Sequence, residues 1–234
     1  LSLALKGNDR SQIAFKDPRR LYKSSNGSFF REISAAHKAS EETAVYLYKT
    51  MSETLSSAEY IFQQSSLRTN THVYPNSELG KNLKTISTLI QSGINTRVYY
   101  VSLGSFDTHV NQDAQQKRLF TELNDAVKAF TADLKKNNRF GDVLMMTFSE
   151  FGRRVSQNAA NGTDHGTANN MFFIGGGLKE KGILNAMPDL SDLKDGDLQH
   201  TVDFKNVYAT ILRKWLGTDD SIILGKTGEY LHFI

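Results

Sequence analysis

Six side chains in one stretch of this sequence are of the types that could do chemistry together. Asp107 and His109 sit two apart in Gly104-Ser105-Phe106-Asp107-Thr108-His109. Asp164 and His165 are adjacent in Gly162-Thr163-Asp164-His165-Gly166, and Glu150 and Arg153 share Ser149-Glu150-Phe151-Gly152-Arg153-Arg154. A carboxylate and an imidazole two residues apart in a loop can converge on one ion. Carboxylate oxygen mixed with imidazole nitrogen suits Zn, Mn or Fe better than Ca. Two such pairs make a divalent metal site with one or two ions. Adjacent ligands such as Asp164 and His165 diverge on an extended backbone, so they serve two ions, or one ion and one substrate group. Glu150 with Arg153 could orient an anionic substrate.

A second reading of the same residues stands beside this one. Asp and His that follow strands also cap helices or bond turn amides, and Thr163–Gly166 reads equally as a turn with an Asx cap. Glu150 could be the internal ion-pair partner of Arg153 or Arg154. Those two arginines cannot both face one pocket from a regular conformation. Ser102, Ser105, Thr108 and Ser149 lack the context of a nucleophile elbow and read as structural.

The elements that must position these groups follow from periodicity. Val98–Leu103 and Val143–Phe148 are apolar runs, and between them Leu119, Leu123, Val127, Phe130 and Leu134 mark a helix face. Strand, helix, strand reads as a βαβ unit with parallel strands and a right-handed crossover. Their carboxyl ends would then put Asp107, His109 and Glu150 on one sheet edge, where open α/β sheets bind ligands. Met171–Ile174 reads as a further short strand stopped by Gly175-Gly176-Gly177. Phe204, Val207, Tyr208, Ile211, Leu212 and Trp215 mark a last helix, with Thr201 and Asp203 as cap candidates. Upstream, Leu79–Ile90 reads as a helix ended by Gly93. Residues 28–67 read as one long helix, or two with a break near Lys38-Ala39-Ser40. Leu1–Leu5 reads as a strand, followed by a turn-rich entry through Asp17-Pro18.

The 234 residues suffice for one large domain, and 39% hydrophobic with 23% charged is a globular composition. The expectation is therefore a single α/β domain over 1–234 with a central, largely parallel sheet flanked by helices. The net charge of +3 and the absence of a dense Lys/Arg block argue against a nucleic-acid partner. The absence of cysteine excludes disulfides and thiolate metal sites. No apolar run approaches the roughly 18 residues of a membrane span. The chain opens on Leu1 rather than Met, which reads as an upstream portion missing from this sequence.

Several segments, in order and spacing, resemble one known family. They are Phe106–His109 with Gln112, Thr147–Arg153, Gly162–Gly166, Phe173–Gly176, Asp203–Ala209 and Leu216-Gly217. The family is the domain of unknown function 1501, and the resemblance covers residues 95–230 well and 1–94 loosely. That family is usually grouped with the alkaline phosphatase and sulfatase superfamily. The resemblance implies an alkaline-phosphatase-like sheet, of which this chain would be the C-terminal part, and a divalent-metal site in an exported bacterial protein. Asp107 and His109 would be ligands of one ion, and Asp164 and His165 would match the superfamily's Asp-His pair. Glu150 and Arg153 would be site residues. Family members also carry an N-terminal Gly-Gly-Ala-Asp-Gly-like segment that this sequence lacks, so the resemblance transfers no nucleophile. Asn169-Asn170 departs from the family's more usual small residue and Pro.

Two functions are consistent with these observations. One is a metal-dependent hydrolase of phosphate or sulfate esters, acting on a small anionic ester or a sulfated or phosphorylated glycan, with Arg153 on the anion. The other is a non-catalytic exported protein that keeps the fold and binds a partner or a surface glycan.

Overall fold

The computed structural model describes residues 13–27, 32, 42–225 and 228–234. The expected strand at Leu1–Leu5 and the expected helix break near 38–40 lie outside the described residues. Contacts divide the chain into two compact units. One draws on the sequence up to Gly104 together with Thr121–Asn137, the other on Ser105–Phe120 and Asn138–Ile234.

The first unit is helical. Helix α1, Pro18–Ser25, is a correction to the turn-rich reading of this stretch. The Asp17 side chain accepts the Arg19 amide as N-cap, and Pro18 stands at the first helical position, where its missing N–H costs nothing. Helix α2 spans Glu42–Ser66, and Phe62 stacks on Tyr22 of α1 with ring centroids 4.3 Å apart. Helix α3, Glu78–Gln91, starts at Ser77, whose hydroxyl accepts the Gly80 amide. Its Leu79, Leu83, Leu89 and Ile90 are buried at helical spacing, and Gly93 follows the helix at φ +78°, which only glycine adopts without strain. Ile61, Leu89 and Ile94 form the core, with Ile13, Phe15, Leu21 and Tyr99 packed against it.

Helix α4 spans Gln112–Lys136 and buries Leu119, Ala126, Phe130, Asp133 and Leu134 along one face. Asp133 is 1% exposed. Its Oδ2 accepts hydrogen bonds from Asn70, Tyr74 and Ser87 at 2.7, 2.8 and 2.6 Å. Its Oδ1 accepts from Gln91 and Asn137 at 3.2 and 3.0 Å. Burial pushes this carboxyl up, but the hydrogen bonds from Ser87, Asn70, Tyr74 and Gln91 together hold it below the usual carboxylate range.

The second unit carries the strands. They are β1 Leu144–Met146, β2 Gly152–Gln157, β3 Thr163–Gly166, β4 Phe173–Gly175, β5 Leu193–Lys194 and β6 Asp197–Leu198. All pair as two-stranded antiparallel sheets: β1 with β4, β2 with β3, and β5 with β6. Helix α5, Phe204–Thr210, is capped by Asp203 as its sequence predicts, and continues as a π-turn over Ile211–Trp215. The short α6, Ser221–Leu224, follows.

This architecture overturns the expected central, largely parallel, alkaline-phosphatase-like sheet. Among the described residues no strands are parallel, and Val98–Leu103 forms no strand. Strands of a parallel sheet are covered on both faces, whereas Val98 is 55% and Tyr100 38% exposed. The run Val143–Phe148 does become a strand, but its partner is β4, in the register Leu144↔Gly175 to Met146↔Phe173. An apolar run encodes extended backbone and burial; it does not encode which strand lies beside it. The expected flanking of that sheet by helices, the last helix among them, falls with it. Val207 is buried there, but Phe204 is 57% exposed.

Candidate metal centre

The site lies within the second unit and is assembled from one loop and one hairpin. The loop is Phe106–His109. It is entered through Ser105 at φ +73° and tightened by the Thr108 amide, which donates to the Phe106 carbonyl at 2.9 Å. Thr108 is fully buried, and its hydroxyl takes a hydrogen bond from Gln116 of α4 at 3.3 Å. With Thr108 anchored inward, its neighbours Asp107 and His109 are left facing out, 62% and 41% exposed at their side chains.

The hairpin is β2–β3, closed by the polar loop Asn158–Gly162. Asn158 organises that loop, since its Oδ1 accepts the Ala160 and Gly162 amides. Its Nδ2 donates to the His109 carbonyl at 3.0 Å, which fastens loop to hairpin. The amides of Asn111 and Gln112 donate to the carbonyls of Ala160 and Asn161, and Thr163 donates to the Gln112 side chain at 3.0 Å. Gly162 permits the approach, because a Cβ there would stand 2.2 Å from the His109 carbonyl oxygen. Across the hairpin Arg153 pairs with His165, so each is presented beside the other.

Three predicted ligands meet as a result. Asp107 Oδ1 lies 2.8 Å from His109 Nε2 and 2.8 Å from His165 Nε2, and the two nitrogens are 3.3 Å apart. Among the described residues this is the one group of three that offers ligand atoms to a common centre. A point about 2.1 Å from all three atoms, the usual bond length to imidazole nitrogen or carboxylate oxygen, lies about 1 Å off their plane. Two imidazoles and a carboxylate therefore fit one divalent ion of the Zn, Mn or Fe type. The hydrogen bond from His165 is the main reason that the Asp107 carboxyl is held below its usual range; partial desolvation opposes it, and the charges of His109, His165 and Arg153 assist.

The other predicted residues take different places. Asp164 does not join the three. Its Oδ1 stands 3.4 Å from Nδ1 of His109, the nitrogen that faces away from the centre. A carboxylate on the far nitrogen is the usual way a ligating imidazole is oriented. Arg153 lies 3.6 Å from Asp107 and donates to the carbonyls of Phe106 and Thr163. Arg154, next on the strand, turns to Asp197 at 3.5 Å, so the two arginines face apart as expected from a strand. Glu150 is exposed after β1. It is partner to neither arginine, so the internal ion pair considered from sequence does not form.

Sequence reasoning missed two contributors, Phe151 and Asn158. Phe151 stacks on His165 with centroids 3.9 Å apart and planes 10° from parallel. Thr108, read as structural from sequence, holds its loop from inside, and Asn158 ties that loop to the hairpin. Phe151 lies within a motif and could have been weighed. Asn158 acts on a backbone carbonyl 49 residues away and leaves no sequence signal.

A loop and hairpin that gather two histidines and a carboxylate define a protein with a candidate metal centre. A family model described as a protein of unknown function, DUF1501, matches residues 16–231, and the chain belongs to that family. The match begins well upstream of residue 95, so it takes in α1, α2 and α3 as well as the segments that carry the motifs. No curated protein and no solved structure is found to match the chain. No helix among the described residues is long and apolar enough to cross a membrane.

Proposed function

We propose that this protein is a metal-dependent hydrolase of phosphate or sulfate esters. The observation that carries the reading is the convergence of Asp107 Oδ1, His109 Nε2 and His165 Nε2 at 2.8–3.3 Å on an exposed face. A divalent ion held there would supply the Lewis acidity that hydrolysis of such esters requires. Asp107, His109 and His165 would bind it, and Asp164, 3.4 Å from Nδ1 of His109, would help to orient that ring. Glu150, exposed and outside the arginine pairs, is left to act on water or substrate. The ester class comes from the resemblance of these residues to the alkaline phosphatase and sulfatase superfamily. It comes with an exported location and with a small anionic ester or a sulfated or phosphorylated glycan as substrate. The reading rests on the site and not on the superfamily's sheet.

The test is metal analysis of the purified chain beside His165→Ala, followed by aryl phosphate and aryl sulfate assays with added Zn or Mn. The expected result is metal and esterase activity in the parent, with both largely lost and the fold retained in the variant. A parent that takes up no metal ends the metal-centre reading. A parent that binds metal yet hydrolyses neither ester is a non-catalytic binding protein.

A further inference from the structure

Arg153 is the side chain a hydrolase of anionic esters would be expected to aim at its substrate, but its bonds in this structure run elsewhere. Its side chain is 17% exposed. Nη1 donates to the Thr163 carbonyl at 2.6 Å, on the strand that carries Asp164 and His165. Nη2 donates to the Phe106 carbonyl, on the loop that carries Asp107 and His109, and lies 3.6 Å from Asp107 Oδ1. The guanidinium carbon sits 4.9 Å from the centre of the Phe151 ring, and that ring is stacked on His165. One planar fork thus touches both ligand-bearing segments, one ligand directly, and a second through an aromatic ring. The geometry needs arginine: a lysine carries the charge but cannot span two carbonyls in fixed directions.

Resting on the metal-centre reading above, we infer that Arg153 is the positioning residue of this site. It clamps the Phe106–His109 loop to the Thr163–Gly166 strand and, with Phe151, sets the ring of His165. It does not grip the substrate anion. Specificity for the anion then comes from other groups, and the affinity of the site for metal depends on Arg153 before any substrate arrives.

The distinguishing experiment measures Co(II) binding to the full chain without substrate, by titration and by the visible d–d bands. Arg153→Lys keeps the charge and loses the fork. It is expected to weaken Co(II) binding about tenfold or more, the usual effect of losing a group that orients metal ligands, and to alter the bands. Arg154→Lys, on the other side of the strand, is expected to leave both unchanged. Added guanidinium ion should restore binding in Arg153→Ala. Hydrogen exchange of the metal-free chain gives a readout that does not depend on the metal: Arg153→Lys should raise exchange in 106–109 and 163–166 together. The inference is overturned if Arg153→Lys binds Co(II) within about twofold of the parent with unchanged bands and raises only KM for aryl phosphate. It is overturned equally if exchange rises in neither segment. A parent that binds no Co(II) sinks the metal-centre reading, and the exchange result still decides whether Arg153 is the clamp.

Discussion

Gly162→Ala is the sharpest probe of how the site is built, because the methyl it adds meets backbone and not a yielding side chain. The added carbon would stand 2.2 Å from the His109 carbonyl oxygen, 2.3 Å from its carbonyl carbon and 2.9 Å from its Cα. Non-bonded carbon and oxygen rarely approach closer than about 3.2 Å, so loop and hairpin must part by about 1 Å. That opening breaks the bond from Asn158 to the His109 carbonyl, 3.0 Å long. It also moves His109 by several times the roughly 0.2 Å that a metal–ligand distance tolerates. Metal affinity should fall about 10- to 100-fold, and overpacking should cost about 1–3 kcal/mol of stability. Calorimetric titration with Zn, beside circular dichroism and a thermal melt, reads both quantities. Gly104→Ala is the control, since a Cβ there has nothing within 4 Å. If Gly162→Ala binds Zn within about twofold of the parent and melts at the same temperature, loop and hairpin are not in register as described.

Four further outcomes follow from the same structure. Asp133→Asn sets an amide against the Gln91 and Asn137 donors and should cost about 2–4 kcal/mol in urea unfolding; a loss under about 0.5 kcal/mol would mean that the carboxylate does not hold this hub. Because the folded Asp133 carboxyl is held below its unfolded value, its stabilisation is present above a pH of about 4 and is lost as pH falls through the folded value; unfolding midpoints against pH should therefore drop on the acid side more steeply in the parent than in Asp133→Asn. Trp215→Ala should cost about 2 kcal/mol and not the 3–5 of a fully buried ring, because the ring is only half-buried, against Gly177; denaturant titration checks this. Glu150→Gln should leave metal content and melting unchanged and lower esterase turnover, and equal kcat for both proteins would remove Glu150 from the chemistry.

What was legible in the sequence was local. The helices at 78–91 and 112–136 follow from apolar spacing, and Asp203, a cap candidate from sequence, accepts the amide two residues on. Asp107, His109 and His165 were legible as candidate ligands because residue type carries the chemistry whatever backbone presents it, and the structure brings the three together. The position of Asp164 on the far nitrogen of His109 was not, since it depends on which face of β3 meets the loop. The sheet was misread because partner choice is not local. Val143–Phe148 specifies a strand, and only the remote Phe173–Gly175 decides that it runs antiparallel. Helix α1 was misread for the opposite reason: Asp17-Pro18 is both a turn signal and a cap followed by a first helical residue, and its use depends on whether Tyr22 finds Phe62.

The distance in sequence between the two histidines has a mechanical meaning. His109 and His165 are 56 residues apart, in a chain with no cysteine to staple it. An ion shared between them would close that loop as a disulfide would. By the chain-entropy relation for such a cross-link, the closure is equivalent to about 4 kcal/mol taken from the freedom of the unfolded chain. The second unit would then owe part of its persistence to its ligand, and stripping the ion would loosen the strands and turns between the two histidines along with the chemistry at their ends.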